Sequence, residues 1–447
     1  MLCHLQPITA LERQTHLKTI TPLGGQARVR RKNVADDKRD PTFKLTITAL
    51  SHVHISSGNT LTRDVDFLYD ASSNKTSFVL NDNAVAYLLE DEEHPEWLSL
   101  SDILKKAGIK PTRQNAPTLE VEGLPLVRYM LTGAPSSKTN SPFQPLLEQI
   151  KDVFDRAYIP GSSLKGAIRT ALAWSAFPNS NLDVSLAALR VNGTLPIAKF
   201  AAQNYEQQLF HSESSNGSPS DAHTDVLRAM RISDSTPITK ELLLRQVGST
   251  TDSSQPTELG NRWRSSTNVQ NHRKPIPLPD IETIPKLAEC TMHLQFDRYA
   301  LLPHGTRQDF SSKAELLTNF VAACRERGMQ LIEHELAFYN ERKQTLPNVA
   351  SFYQDLSQKA QRLDPNSFML QIGWGTGWHS KTLDERLTEH TEEFNEIANY
   401  KDYKLKRGKA IKPGDIFPIS RKLIKNDANV LSEPLGWVRV DVAEVAR

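Results

Sequence analysis

Two glycine turns followed by cations give this 447-residue chain its clearest means of holding an anion. The first lies in Tyr158-Ile-Pro-Gly-Ser-Ser-Leu-Lys-Gly-Ala-Ile-Arg-Thr170. Pro160-Gly161 punctuates a turn. Ser162 or Ser163 is placed to cap the following helix by accepting from a backbone N–H that the first turn leaves unpaired. Leu164, Ile168, Ala171 and Leu172 then recur at helical spacing. Lys165 and Arg169, four apart, share a face along the border of that apolar stripe, and Gly166 lets another backbone come close. A helix N-terminus with free N–H groups, hydroxyls and two cations suits a phosphate. The same pattern also describes an ordinary capped helix with a solvated basic edge.

The second turn lies in Phe368-Met-Leu-Gln-Ile-Gly-Trp-Gly-Thr-Gly-Trp-His-Ser-Lys-Thr382, where a strand feeds a glycine-rich loop. Counted from Gly375, the last glycine of a Walker A loop would stand at 380, which is Ser380. Trp378 occupies the third glycine position of a dinucleotide fingerprint begun at Gly373. The loop belongs to neither class. Gly373, Gly375 and Gly377 still permit close backbone approach to a phosphate chain, Lys381 adds charge, and Trp374 and Trp378 add aromatic faces. Glycines that only allow tight packing are the alternative.

His52 and His54, two apart on an extended segment, point the same way. With Asp64 and Asp66 nearby in sequence they are candidates for the base and acid of metal-independent RNA cleavage. No third ligand is placed beside them, so no metal is expected, and no cofactor.

Lys and Arg total 54 against 52 Asp and Glu, a net charge of +2, so any nucleic-acid surface must come from local clustering. With 38% apolar and 24% charged residues the chain reads as globular. Cys3, Cys290 and Cys324 have neither metal-ligand spacing nor a disulfide framework, which suits a reducing compartment. No apolar run reaches membrane-spanning length, and the N-terminus lacks a secretory apolar core, so a cytoplasmic protein without a membrane partner is expected.

These turns need strands and helices to hold them. Phe43 to Leu50 alternates cleanly, Phe67–Tyr69 and Ser77–Leu80 read as a hairpin, and Leu287 to Phe296 alternates in part. Helices are expected over Asn83–Leu89, Leu98–Ala107, the first turn to Ala176, and Ile197–Phe210. Ser312 to Glu341 and Ala350 to Leu363 read as a packed helical insertion. Arg231 lies in a short ordered element, Asp225–Ser235. The stretch 247–280 is polar, and its Arg262, Trp263 and Arg264 could order on RNA by pairing phosphates and stacking a base. The resulting division is a basic tail at 1–42, a first domain at 43–246, a mobile polar loop at 247–280, and a second domain at 281–447 with its helical insertion at about 311–364.

The segment Ile159–Thr170 resembles the signature of the RAMP superfamily of CRISPR proteins. Val53-His54-Ile55 with Gly58 resembles that superfamily's first strand and turn, although Ser56-Ser57-Gly58 stands where Gly-Ser-Gly is usual. Arg63–Asp70, Ile232–Ser235, Gly373–Thr382 and Pro434–Trp437 resemble, within it, the capping subunits of type III-A effector complexes. The resemblance implies an α+β, RRM-like (ferredoxin-like) RAMP fold, two such modules with helical and loop insertions. It implies a non-catalytic subunit that binds guide RNA, caps the 3′-end side of the complex, and takes part in guide maturation and antiviral defence. The implied partners are backbone RAMP subunits, the small subunit, and target RNA through the guide. The RNA-contacting set on this reading is His54, Gly161, Ser162, Ser163, Lys165, Arg169, Arg231, Arg262, Arg264, Gly373, Gly375, Gly377 and Lys381. Contacts of this kind position RNA without reading its sequence, which base pairing does instead. Two alternatives stay open: a RAMP endonuclease using His52 and His54, and a RAMP subunit at another position in a different type III variant.

Overall fold

The strand Thr42–Ala49 (β1) buries Leu45, Ile47 and Ala49, as a period of two requires of a strand with one face in the core. The computed structural model describes residues 40–90, 98–136, 145–180, 182–191, 193–197, 200–212, 222–249, 278–303, 309–341, 344, 346–388, 390–403, 421–426, 428 and 430–445. After β1 come β2 (Ser56–Leu61) and the hairpin of β3 (Phe67–Asp70) with β4 (Thr76–Leu80). Next are α1 (Asp82–Tyr87), α2 (Leu100–Lys106), the short pair β5 (Glu120–Val121) and β6 (Leu124–Pro125), then β7 (Val127–Thr132) and β8 (Leu146–Gln149). The first glycine turn opens α3 (Gly161–Ala176), followed by α4 (Gln203–Phe210), β9 (Met230–Ile232) and β10 (Leu243–Ser249).

Helix α4 begins at Gln203 rather than at Ile197. Val247–Ser249 extend β10, and Asp280 opens β11 (Asp280–Thr283), so both ends of the polar stretch belong to a sheet. Arg262 and Arg264 lie outside the described residues, as does the basic tail up to residue 39. Strand β12 (Glu289–Phe296) buries Cys290, Met292, Leu294 and Phe296 in strict alternation. The helical stretch resolves into α5 (Ala314–Thr318), α6 (Phe320–Asn340) and α7 (Pro347–Gln361), with a break at Asn319. The chain ends with β13 (Ser367–Gln371), α8 (Asp384–Thr388), α9 (Thr391–Asn399), β14 (Lys422–Lys425), β15 (Leu431–Pro434) and β16 (Trp437–Glu444).

The first sheet has the order β13-β16-β1-β12-β9 and is antiparallel throughout. Four of its strands with α3 and α6 trace β1-α3-β9-β12-α6-β16, a βαββαβ path in the order β16-β1-β12-β9. That is the ferredoxin-like plan, with β13 added at the β16 edge. The fold is therefore α+β and RRM-like, as expected. Its strands come from both sides of the 247–280 stretch. The second sheet, nine strands among the described residues, runs β2-β8-β11-β10-β7-β4-β3 with β14 and β15 attached through β10. It is mixed, since β10 pairs β7 and β11 pairs β8 in parallel.

Packing explains why α3 and α6 lie where they do. Leu164, Ile168, Ala171 and Leu172 of α3 are wholly buried in the core that Leu45, Ile47, Leu294 and Val440 share. Each such leucine or isoleucine contributes about 2 kcal/mol on leaving water. Helix α6 carries Gly328 in its interior, at about 1 kcal/mol relative to alanine. A Cβ there would run into the Met369 carbonyl, so the glycine lets α6 lie directly on β13. No helix among the described residues is long and apolar enough to cross a membrane.

Candidate nucleic-acid interface

Three segments singled out in the sequence meet around the second glycine turn. Trp374 donates its backbone N–H to the His54 carbonyl at 2.8 Å, Ile372 donates to Gly436 at 2.9 Å, and Gly436 donates to His52 at 2.8 Å. The Gln371 amide reaches the Leu435 carbonyl at 3.0 Å. Gly373 has φ +82°, and a Cβ there would strike the His54 carbonyl. Gly436, φ +83°, would likewise strike the Ile372 carbonyl. These glycines are required by the clamp between His52–Ile55, the loop and Leu435–Trp437. Gly377 differs: its φ is +87° but nothing lies within 4 Å of a Cβ, and it is exposed. It is the open face of the loop.

Two lysines stand beside the open part of that loop. Lys381 is exposed, and the Lys422 ammonium stands 3.9 Å over the Trp374 ring. Burial pushes the Lys422 pKa below its ordinary value, and the charge of Lys381 lowers it further. Partial desolvation of the otherwise exposed Lys381 lowers its pKa as well. Neither lysine has a carboxylate partner among the described residues. Lys422 was not a sequence candidate. Its approach to Trp374 depends on the β14–β10 pairing, which joins residues too far apart in the chain for local spacing to reveal.

His54 sits beneath the loop, fully buried, with its ring edge-on to Trp374 at 5.8 Å. Its Nδ1 lies 2.7 Å from the Glu282 carbonyl, so Nδ1 carries the proton and donates. Burial lowers its pKa to about 4, with the Lys151 charge also lowering it and the Glu282 hydrogen bond opposing. His52 is buried too, with Nδ1 3.1 Å from the Thr283 hydroxyl and Nε2 3.2 Å from Glu433. Asp66 accepts the Thr62 N–H at 2.5 Å, and Asp64 lies 3.6 Å from Arg63. The two histidines are thus interior groups, held by hydrogen bonds, and not a surface acid–base pair.

The first glycine turn is built differently. Pro160 is the N-cap of α3 and makes no side-chain capping bond. Ser162 and Ser163 fall inside the first turn and do not cap it. The Gly161 N–H instead donates to Asp234 Oδ1 at 2.8 Å, so a carboxylate of the chain already stands at the helix end. Gly161 is needed because a Cβ would meet the backbone carbonyls of Ile232 and Ser233. Lys165 turns to the Met230 carbonyl at 2.8 Å. Arg169 pairs with Asp225 at 2.6 Å and Glu206 at 3.0 Å, over the Phe210 ring at 4.1 Å. Ser162 and Gly166 are the exposed positions of this turn. Arg231 is bound to Asp297 at 2.7 Å on the surface. Helix α3 touches the His379–Lys381 turn, and Arg327, which binds the His379 carbonyl, also lies over Trp174 near the C-terminal end of that helix.

The RAMP superfamily model matches residues 46–379, which include both turns up to His379. The chain belongs to the RAMP superfamily. Among curated proteins this RAMP chain is similar to the CRISPR system Cms protein Csm5 of Streptococcus thermophilus, 26% identical over 251 residues, 53% of this chain. The match takes in 59% of that relative, about three fifths of its length. Two solved structures share the fold. One is a chain of a cryo-EM Csm–crRNA–target RNA ternary complex of a type III-A CRISPR-Cas system, with TM-score 0.55 and 21% identity over 89% of this chain and 100% of that one. The other is crystalline T. onnurineus Csm5, with TM-score 0.50 and 22% identity over 88% and 99%.

Proposed function

We propose that this RAMP protein is a non-catalytic subunit that binds guide RNA and caps the 3′-end side of a type III-A CRISPR effector complex. Backbone RAMP subunits and the small subunit would be its neighbours, and target RNA would reach it through the guide. The likeness to Csm5 and to a chain of a Csm–crRNA–target RNA complex supports the choice of assembly. The observation that carries the RNA-binding part is the Lys381–Lys422 pair beside Trp374 and the open Gly377. Two neighbouring ammoniums without an acid gain from an anion between them. The tryptophan offers a stacking face for a base next to that phosphate.

On this reading Gly375, Gly377, Lys381, Lys422 and the exposed Ser162 line the RNA path. Gly161, Ser163, Lys165 and Arg169 fix α3, while His54 and Gly373 hold the loop. His52 and His54 serve packing, which takes away the acid–base pair that the sequence offered for strand cleavage.

The test is the Lys381→Glu/Lys422→Glu double variant, assembled with its partner subunits. Guide RNA retention at moderate salt should fall about a hundredfold, with far-UV circular dichroism unchanged. The log–log salt slope for the neutral Lys381→Gln/Lys422→Gln form should shrink by about 1.4. Undiminished guide retention in both would overturn the assignment of these lysines.

A further inference from the structure

Among the described residues, one group of side chains with metal-ligand chemistry has no part in the reading above. His334 of α6, His379 just beyond the glycine-rich loop and Glu385 of α8 each offer one ligand atom, all within 4.8 Å of one another. His334 Nδ1 is 3.1 Å from Glu385 Oε1, and the two imidazole rings are 4.2 Å apart between centroids. His379 is buried, while His334 and Glu385 are half-buried. Three separate elements converge here, so the grouping is a product of the tertiary fold.

Arg327 braces the cluster from behind. Its guanidinium holds the other Glu385 oxygen, Oε2, at 2.9 Å and also binds the carbonyls of His379 and Thr382. A carboxylate anchored through one oxygen presents the other in a fixed direction, as supporting hydrogen bonds do at metal sites. Oε1 is the oxygen facing the imidazoles.

We propose that His334, His379 and Glu385 bind one divalent transition-metal ion of the zinc class. Two imidazoles and a carboxylate suit zinc chemistry, with water as a fourth ligand. Tetrahedral zinc with these donors separates its ligand atoms by about 3.4 Å, so the widest pair in the cluster closes by no more than about 1.4 Å, within reach of side-chain rotation. Magnesium and calcium fit poorly, because they prefer all-oxygen shells and Arg327 offsets the one carboxylate charge. The ion would tie α6 to the end of the glycine-rich loop, two residues before Lys381. The proposal does not depend on RNA binding, and its readout contains no RNA.

The test uses the full chain, stripped with chelator and titrated with zinc chloride and with cobalt chloride. Wild type should take up one equivalent, and cobalt should show the visible absorption of a four-coordinate ion. His334→Gln and Glu385→Gln should each weaken zinc binding roughly tenfold or more. X-ray absorption of the zinc-loaded wild type should count two imidazoles and no sulfur. Wild-type binding no tighter than that of the His334→Gln/Glu385→Gln double variant would overturn the proposal. Should that variant not fold, an absorption spectrum without imidazole ligation in wild type would overturn it just as well.

Discussion

The two glycine turns contain the same ingredients, and the fold treats them in opposite ways. At the start of α3 every cation and the helix end have a partner within the chain: Asp234 on Gly161, the Met230 carbonyl on Lys165, Asp225 and Glu206 on Arg169. At the second turn the backbone is clamped to His52–Ile55 and Leu435–Trp437, yet Lys422, whose pKa the charge of Lys381 lowers, and Lys381 itself have no carboxylate partner among the described residues. A cation already paired must give up its acid before it helps a phosphate, whereas two crowded ammoniums are relieved by one. Capacity for an anion therefore follows the charge that tertiary structure leaves uncompensated. Turn composition alone does not fix it.

Glycine substitutions are the strongest way to break this comparison. Gly373→Val forces a β-branched residue to φ +82° and into the His54 carbonyl. It should cost about 4 kcal/mol in urea unfolding, from backbone strain and overpacking together. Gly166, at an exposed helical position of α3 with open space around it, should respond in the other direction. Gly166→Ala should stabilise by about 0.8 kcal/mol. A Gly373→Val protein as stable as wild type would remove the backbone clamp from the account of the second turn.

The clamp has a pH signature. His54 has a folded pKa of about 4 against an unfolded value near 6.5, and burial is the main cause. The unfolded chain thus binds the proton first as pH falls. The stabilising contribution is complete above about 6.5 and disappears progressively toward 4, with a slope of up to about 1.4 kcal/mol per pH unit. His54→Asn keeps a donor for the Glu282 carbonyl but cannot titrate. Its stability, measured by urea unfolding from pH 7 to 4.5, should lack that slope. His334, whose pKa Glu385 raises, is present in both proteins and cancels in the difference. Parallel curves for the two proteins would show that His54 is not held neutral.

Much of the frame was legible in the sequence. Strands β1 and β12 bury one face each, so period two is written into Leu45–Ala49 and Cys290–Phe296. Helices α3 and α7 were legible from their apolar stripes. Strands β8 and β11 were not, because they have four residues each and bury polar groups, and β10 runs into the polar stretch. Glu282 is wholly buried and is balanced by Lys151 at 2.5 Å and the Tyr129 hydroxyl at 2.8 Å, partners that a local window cannot supply. The cap of α3 failed for the same reason: Asp234, 73 residues away, takes the place that Ser162 or Ser163 would fill locally. At the second turn the glycines and Lys381 were visible by spacing, while Lys422 and the His334–His379–Glu385 convergence exist only once β14 and α6 are packed.

A small effect sharpens the comparison most. Arg169→Gln removes a cation from a pair with Asp225 and leaves that carboxylate, one-fifth exposed, to partial solvation. Surface screening limits the loss to about 1 kcal/mol of folding stability. The charge removed was already neutralised by Asp225 and Glu206, so few counterions should be involved when RNA binds. The salt slope of guide binding should therefore stay within error of wild type, in contrast to the drop for Lys381→Gln/Lys422→Gln. An equal drop in slope for Arg169→Gln, without a change in stability, would mean that its acids let go when RNA arrives. The first glycine turn would then be a phosphate site held closed by its own carboxylates, and the contrast between the turns would become one between a closed and an open version of one device.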